Sequence, residues 1–365
     1  MKRVILQSAI LIVLTLIIIV SPHGMHAAAA IPAQAQGQQA PPPPPPAQQQ
    51  GQQAPQGNYQ ISVNAGLVNV DAVVTDGDGN FLPGLKKENF RILEDGKPQI
   101  ITNFSPAGEA PITIVLLIEF RAHLYSGSYY AQMSAYWGSA FLNQLKKNDW
   151  IALEDFDLKT RVDVDFTHDP MEVMQELRRM VVPLYSESCL YDAIGETIDR
   201  LAEVKGKKTI LVVASGYDTF SKLTYDNTMK LVRQSDVGIY TIGTSQFMVD
   251  TNAAMTGGSS IGNIKSQVAQ QQMKVFADLT GGQAWTPEFT GQIPEIMQTI
   301  AASLRNQYSL GYAPTSQDGK YHKIKVELVN ADGTPMVVTN QKGKKVKFVV
   351  YARQGYTAAK SAAGE

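Results

Sequence analysis

Ile112-Thr113-Ile114-Val115-Leu116-Leu117-Ile118, entered through Pro111 and closed by Glu119-Phe120-Arg121-Ala122-His123, is the stretch that decides the fold. An unbroken apolar run this short, partly β-branched and ending in charges, reads as a strand buried on both faces of a parallel sheet. A small-residue turn at Ser126-Gly127-Ser128 and a helical stretch near Tyr130 to Lys146 are expected to follow it. The polar tip Glu119 to His123 then falls at the carboxyl end of the strand, the edge at which open α/β sheets bind ligands.

Outward from that strand, apolar runs and helical periods alternate as far as Leu304. Strands are predicted at Trp150 to Phe156, Val162 to Phe166, Thr209 to Ala214 and Gly238 to Ile242. Helices are predicted near Pro170 to Met180, Cys189 to Val204, Tyr225 to Ser235, Met273 to Leu279 and Gly291 to Arg305. Met255 to Gln272 reads as a mobile insertion rich in Gly, Ser and Gln. The alternation predicts a doubly wound, mostly parallel α/β sheet of Rossmann-like type.

Both flanks switch to strand period. Ile61, Val63, Leu67 to Val74 and Phe90 to Leu93 precede the α/β region; Tyr308 to Tyr312, Lys323 to Val329 and Val346 to Ala352 follow it. The two flanks are expected to pair into one β-sandwich, the alternative being two separate small sheets. Asp76-Gly77-Asp78-Gly79-Asn80 lacks the downstream glutamate and spacing of a calcium loop and reads as an Asp-Gly turn.

Lys2-Arg3, the apolar run Val4 to Val20 and the small residues Ala27 to Ala35 form a signal-peptide pattern, with an uncleaved membrane anchor as the alternative. The expected division is a signal peptide over 1–35, a disordered Pro/Gln-rich linker over 36–58, an N-terminal β segment over 59–106, the α/β domain over 107–305, a C-terminal β segment over 306–357 and a tail over 358–365. These features predict an exported protein: periplasmic, cell-surface or extracellular. Membrane contact is expected only through an uncleaved leader. A net charge of −1, with dispersed Lys and Arg, argues against a nucleic-acid partner. The single cysteine, Cys189, rules out an intrachain disulfide and sits beside Leu190 and Tyr191 in a context that suggests burial.

Several separated motifs agree in order: Asn69 to Asp76, Gly84-Leu85, Asn89 to Gln99, Leu190 to Ile194, Tyr240 to Gly243 and Gln307 to Tyr312. On these the chain, over about residues 59 to 357, resembles the VWFA-related domain proteins of the acidobacterial type, within the von Willebrand factor type A (VWA) family. The resemblance implies a VWA domain, a module that commonly binds protein ligands through a metal-ion-dependent adhesion site. Such a site needs hard oxygen ligands: Asp-Xaa-Ser-Xaa-Ser after the first strand, a Thr on a second loop and an Asp on a third. Carried over residue by residue, the first Asp falls on Glu119 and the two serines on Arg121 and His123. The Thr falls on Ser188, four before Asp192, and the third-loop Asp on Ser215, beside Tyr217 and Asp218.

A permanent cation at Arg121 repels a divalent ion, so the site is expected to be degenerate and to work without a metal cofactor; the alternative keeps a weak site for magnesium or another divalent cation. Arg121 is expected to replace the missing cation, paired with Glu119, Asp192 or Asp218, or else to point into solvent. Tyr125, Tyr129, Tyr130, Tyr136, Trp137, Tyr185 and Tyr217 crowd the same loops and the first helix, a composition that suits a face for a protein or cell-surface polymer. The expected function is a non-enzymatic, adhesion-type interaction module. A periplasmic hydrolase built on His123 with Ser126 or Ser128 is the alternative from another class, although no nucleophile-elbow segment is present. Glu154, Asp155 and Asp157 are expected to form a solvated strand end, since neighbouring strand residues point to opposite faces.

Overall fold

A computed structural model of the chain describes residues 67–108, 110–120, 127–180, 185–245, 260–339 and 345–360. The expected leader, the linker, Ile61 and Val63 lie outside these residues, as do 255–259 of the expected insertion.

Six strands form the central sheet in the order Ala284–Trp285, Gly238–Gly243, Lys207–Ala214, Ile112–Glu119, Trp150–Phe156 and Thr160–Thr167. All neighbours run parallel except the last, which returns antiparallel along Trp150–Phe156. Every residue of Ile112–Glu119 is buried, because alternate side chains enter two separate cores. Ile112, Ile114, Leu116 and Ile118 pack with Trp137, Phe141, Leu177, Met297 and Ile300, from the helices Gly127–Leu142, Pro170–Arg179 and Ile293–Arg305. Val115 and Leu117 pack with Leu190, Ile194, Val232, Met273 and Phe276, from the helices Leu190–Leu201, Tyr225–Gln234 and Ser260–Thr280. Helices therefore cover both faces, the doubly wound α/β arrangement. Each fully buried Leu or Ile contributes about 1.5–3 kcal/mol relative to leaving it exposed.

Local chemistry sets the helix starts. Asp169 accepts the Met171 N–H ahead of Pro170, and Thr224 accepts the Asn227 N–H. Two expectations are corrected. Gly127 and Ser128 belong to the first turn of a helix rather than to a turn preceding it. The polar stretch expected to form an insertion as far as Gln272 is helical from Ser260 onward. Ser266, Ala269, Met273, Phe276 and Ala277 are buried at steps of three, four, three and one, so a helical stripe is present despite the Gln-rich surface.

The flanks interleave. In one four-stranded sheet the order is Phe348–Ala352, Val68–Asp76, Gln307–Tyr312, Ile101–Ser105; in a second it is Gly355–Thr357, Tyr321–Leu328, Phe90–Glu94, Lys97–Gln99. Each sheet contains strands from before and after the α/β region, and residues of both, including Val70, Ile92, Leu310 and Val326, share one apolar cluster. The Asp-Gly turn is held by the Asp76 carboxylate, which accepts the N–H groups of Asp78 and Asn80 at 2.9 Å each.

A polar network threads this flank. Buried Glu94 accepts the hydroxyls of Tyr312 at 2.7 Å and Tyr356 at 3.2 Å. His322 stacks on Tyr356 and places its Nδ1 2.8 Å from Asp95 and its Nε2 3.0 Å from Asp318, with Glu94 4.0 Å away. Bonds to both carboxylates need the doubly protonated ring, and the hydrogen bonds to Asp318 and then Asp95 raise the His322 pKa. Because the folded pKa is raised, this stabilisation is complete below about pH 6.5 and disappears as pH rises through the folded value. Denaturant unfolding of the wild type is therefore expected to show a loss of stability as pH rises above about 6.5 that His322→Gln flattens. An unchanged slope in the variant would remove His322 as its source.

Candidate functional site

At the carboxyl edge of the parallel sheet, the end of the central strand, the segment 185–189 ahead of the helix Leu190–Leu201 and the segment 215–223 after the strand Lys207–Ala214 are joined by hydrogen bonds. Glu119, the last residue of the central strand, is 1% exposed. Its Oε2 accepts the Ser215 N–H at 2.5 Å and its Oε1 accepts the Ser215 hydroxyl at 3.0 Å. The serine at the third-loop position thus donates to the first-loop carboxylate, and its Oγ also accepts the Tyr217 N–H at 3.3 Å. Gly216 makes this turn possible. Its φ is +82°, and a Cβ there would lie 2.8 Å from the Ala269 carbonyl oxygen and 2.9 Å from the Met273 sulfur.

The second and third loops are joined through Ser188. Its carbonyl accepts the N–H groups of Thr219 at 2.8 Å and Phe220 at 3.0 Å, while its own N–H donates to the Thr219 hydroxyl at 2.9 Å. The Ser188 hydroxyl is buried and has no hydrogen-bond partner among the described residues. Asp192 accepts the N–H groups of Lys222 and Leu223, at 2.9 and 2.8 Å, and its own N–H donates to Ser221. Asp218 accepts the Ser221 hydroxyl at 2.5 Å and the Tyr191 N–H at 3.2 Å. Burial raises the Asp218 pKa, against the lowering effect of the Ser221 bond.

Of the residues singled out from sequence, the structure thus joins Glu119 to Ser215 and Tyr217, and ties Ser188, Asp192 and Asp218 into the adjoining network. Arg121, His123 and Tyr125 lie outside the described residues. Trp137 is a core residue, 2% exposed, whereas Tyr136 and Tyr185 stand 57% and 58% exposed. Sequence reasoning missed Thr219, Ser221 and Phe220. The Ser/Thr hydroxyls carry no pattern beyond loop composition, and Phe220, 57% exposed, was visible only as an apolar residue in a polar loop.

The carboxylates expected to be solvated are buried: Glu154, Asp155 and Asp157 are 1%, 5% and 3% exposed. They do face opposite sides. Asp155 and Asp157 share Arg161, which bonds the first at 2.6 and 2.9 Å and the second at 2.6 Å, while Glu154 accepts the Thr197 hydroxyl at 2.6 Å and pairs with Arg200. Arg161 and Arg200 thus give each of the three carboxylates a cationic partner, Arg200 being shared with Asp165 as well. Asp157 also supports the second loop, because its carbonyl accepts the Cys189 N–H at 2.7 Å. The Cys189 thiol is itself buried, and burial pushes its pKa up to about 12, which keeps it protonated and unreactive.

No protein-family model and no curated protein matches the chain. Among solved structures it is similar to VWA-domain proteins. BatB from Bacteroides thetaiotaomicron is 12% identical with a TM-score of 0.38, over 53% of this chain and 98% of that one. The vWF domain of the type V pili tip protein Mfa5 from Porphyromonas gingivalis is 12% identical with a TM-score of 0.40, over 53% and 96%. A von Willebrand factor type A protein from Catenulispora acidiphila is 8% identical with a TM-score of 0.39, over 83% and 76%.

Set beside the VWA adhesion site that the sequence resemblance implies, the described carboxylates at this edge are all engaged with protein donors. Among the described residues, no group of three or more His, Cys, Asp or Glu side chains is arranged to hold a metal ion. No helix among them is long and apolar enough to cross a membrane.

Proposed function

We propose that this chain is an exported, non-enzymatic interaction module. In this reading a VWA-like α/β domain sits on a β-sandwich base formed by the two flanks. It grips a protein or cell-surface polymer through Glu119 to Tyr125, Tyr185 to Ser188 and Ser215 to Asp218. The observation that carries it is the pair of large aromatic side chains, Tyr185 and Phe220, each more than half exposed on loops that Ser188 ties together by backbone hydrogen bonds. Aromatic surface held on pre-ordered loops loses little entropy on association and is the usual material of binding hot spots. Export is supported by the leader pattern of Lys2-Arg3, the apolar run Val4 to Val20 and the small residues Ala27 to Ala35.

The edge is read as metal-independent on the chemistry of its donors. Both Glu119 oxygens accept from Ser215, both Asp192 oxygens accept backbone N–H groups, and a serine replaces the third-loop carboxylate. A hard divalent ion needs six or more oxygens with anionic charge among them, and it must compete here against donors already in place. Arg121 supplies the positive charge in its stead. One observation favours a second reading with a weak cation site: the buried Ser188 hydroxyl lacks a partner at the position where a VWA site carries its threonine. Calorimetry with magnesium, manganese and calcium separates the two readings, since millimolar heats abolished by Ser188→Ala belong only to the second.

The binding face is tested on a partner first identified by proximity labelling in the native cell envelope. With that purified partner, the double variant Tyr185→Ala/Phe220→Ala is expected to weaken affinity by about 100-fold, as the loss of two hot-spot aromatics implies. Arg121→Ala is expected to weaken it by about tenfold or more. Wild-type affinity in both variants would rule out this edge as the contact.

A further inference from the structure

A cleft at the other end of the α/β layer has features that the proposed binding edge does not use. We infer that it is a binding site for a small ligand carrying a carboxylate or phosphate on an apolar body. The cleft encloses about 570 Å³ between the α/β layer and the flank sheet, with Arg233, Leu279, Tyr321, Lys323 and Lys325 in its lining. Arg233 lies at the end of the helix Tyr225–Gln234, which leads into the amino end of the strand Gly238–Gly243, so the cleft lies away from the carboxyl edge that carries Glu119.

Strand period builds one wall. His322, Ile324, Val326 and Leu328 point into the flank core, which sends Tyr321, Lys323 and Lys325 to the other face. Arg233 arrives from the helix opposite, with its guanidinium carbon 5.3 Å from the centre of the Tyr321 ring. That stacking holds the guanidinium plane in place. The Arg233 Nε is buried without a hydrogen-bond partner, an unmet donor in a site that gathers positive charge.

Nearby carboxylates are committed elsewhere. Asp236 pairs with Lys208 at 2.9 Å, Asp95 with His322 at 2.8 Å, and Glu327 with Arg91 at 2.7 Å as well as with Lys325 at 2.9 Å. Asp95 also accepts the Lys323 N–H at 2.9 Å, and the Lys323 charge helps hold its pKa down, whereas none of these pairs engages the Arg233 guanidinium. With Lys325 paired to Glu327 and Lys323 partly balanced by Asp95, Arg233 is the cation of this lining whose buried donor is unmet among the described residues. An oxyanion beside Arg233 supplies that acceptor with Lys323 in reach as a second charge, while Leu279 and Tyr321 offer apolar surface to the rest of the ligand. The volume falls within the range of small-molecule sites, about 300–1,000 Å³.

The test is calorimetric titration of the full chain with phenyl phosphate, phenylacetate and inorganic phosphate. An aryl anion is expected to bind more tightly than inorganic phosphate, and the tighter of the two aryl probes identifies the natural headgroup as phosphate or carboxylate. Arg233→Met and Lys323→Met are each expected to weaken that binding by about tenfold, and Lys147→Met, outside the cleft, to leave it unchanged. Lys323 is exposed, so its variant folds even if Arg233→Met does not. The inference is overturned by the absence of binding of either aryl anion at about 10 mM, or by equal affinity in wild type and Lys323→Met.

Discussion

Arg161→Met is expected to lower the stability of the folded chain by about 2–4 kcal/mol, because it leaves two buried carboxylates facing each other without a counter-ion. Asp155 and Asp157 side chains are 7% and 4% exposed, while Arg161 is 32% exposed, and that partial solvent access places the loss below that of a fully enclosed pair. The effect has a pH signature. Burial already raises the Asp155 pKa against the lowering influence of Arg161, and removing the arginine raises it further. A raised carboxylate pKa costs stability as pH rises through it, so the deficit of Arg161→Met is expected to be smaller at pH 5 than at pH 8. Urea unfolding at the two values measures this, with the exposed Arg179→Met as a control expected to change by less than about 0.5 kcal/mol. Equal deficits at both pH values would mean that the carboxylates are not what Arg161 holds. The damage is also expected to reach the binding edge, since the Asp157 carbonyl anchors the Cys189 N–H and with it the second loop.

The same three carboxylates show where sequence reasoning stops. Alternation along Trp150–Phe156 correctly separates Glu154 from Asp155, because side-chain direction in a strand is a local property. Their burial is not local. Arg161 meets Asp155 only through the antiparallel register of the returning strand, and Arg200 reaches Glu154 from a helix 46 positions away. The central strand was legible for the opposite reason: a short apolar run already states that both of its faces are covered. The helix Ser260–Thr280 was legible from Met273 onward, while its first part, as far as Gln272, was hidden by glutamines and a glycine that favour a loop by composition, although its buried residues follow a helical stripe. The flank pairing was legible as strand period on either side, but its order was not, since Val68–Asp76 lies between two strands from the far end of the chain. At the candidate site, Ser215 could be placed in sequence at the end of the strand Thr209 to Ala214. Its use as a double donor to Glu119, 96 positions away, was not legible there.

Glu119→Gln tests that pair directly and is expected to cost about 2–3 kcal/mol. A buried carboxylate accepting both a backbone N–H and a hydroxyl is replaced by a neutral amide with one accepting oxygen, so both charge-assisted bonds are lost and the Ser215 hydroxyl must turn to accept from the NH₂ group. Ser215→Ala removes only the hydroxyl and leaves the backbone bond, so about 1 kcal/mol is expected. The two losses should not add, because residues in contact share one interaction, and the double variant is expected to fall short of their sum by about 1 kcal/mol. Hydrogen exchange supplies the structural readout: the Ser215 N–H should exchange faster in Glu119→Gln and remain protected in Ser215→Ala. Additive losses with unchanged Ser215 protection would show that the first and third loops are held together by something else. If the coupling is present, Glu119 and Ser215 form a fixed internal bond across 96 positions of chain, and the exposed aromatics Tyr185 and Phe220 lie on segments whose geometry that bond and the Ser188 backbone bonds set in advance.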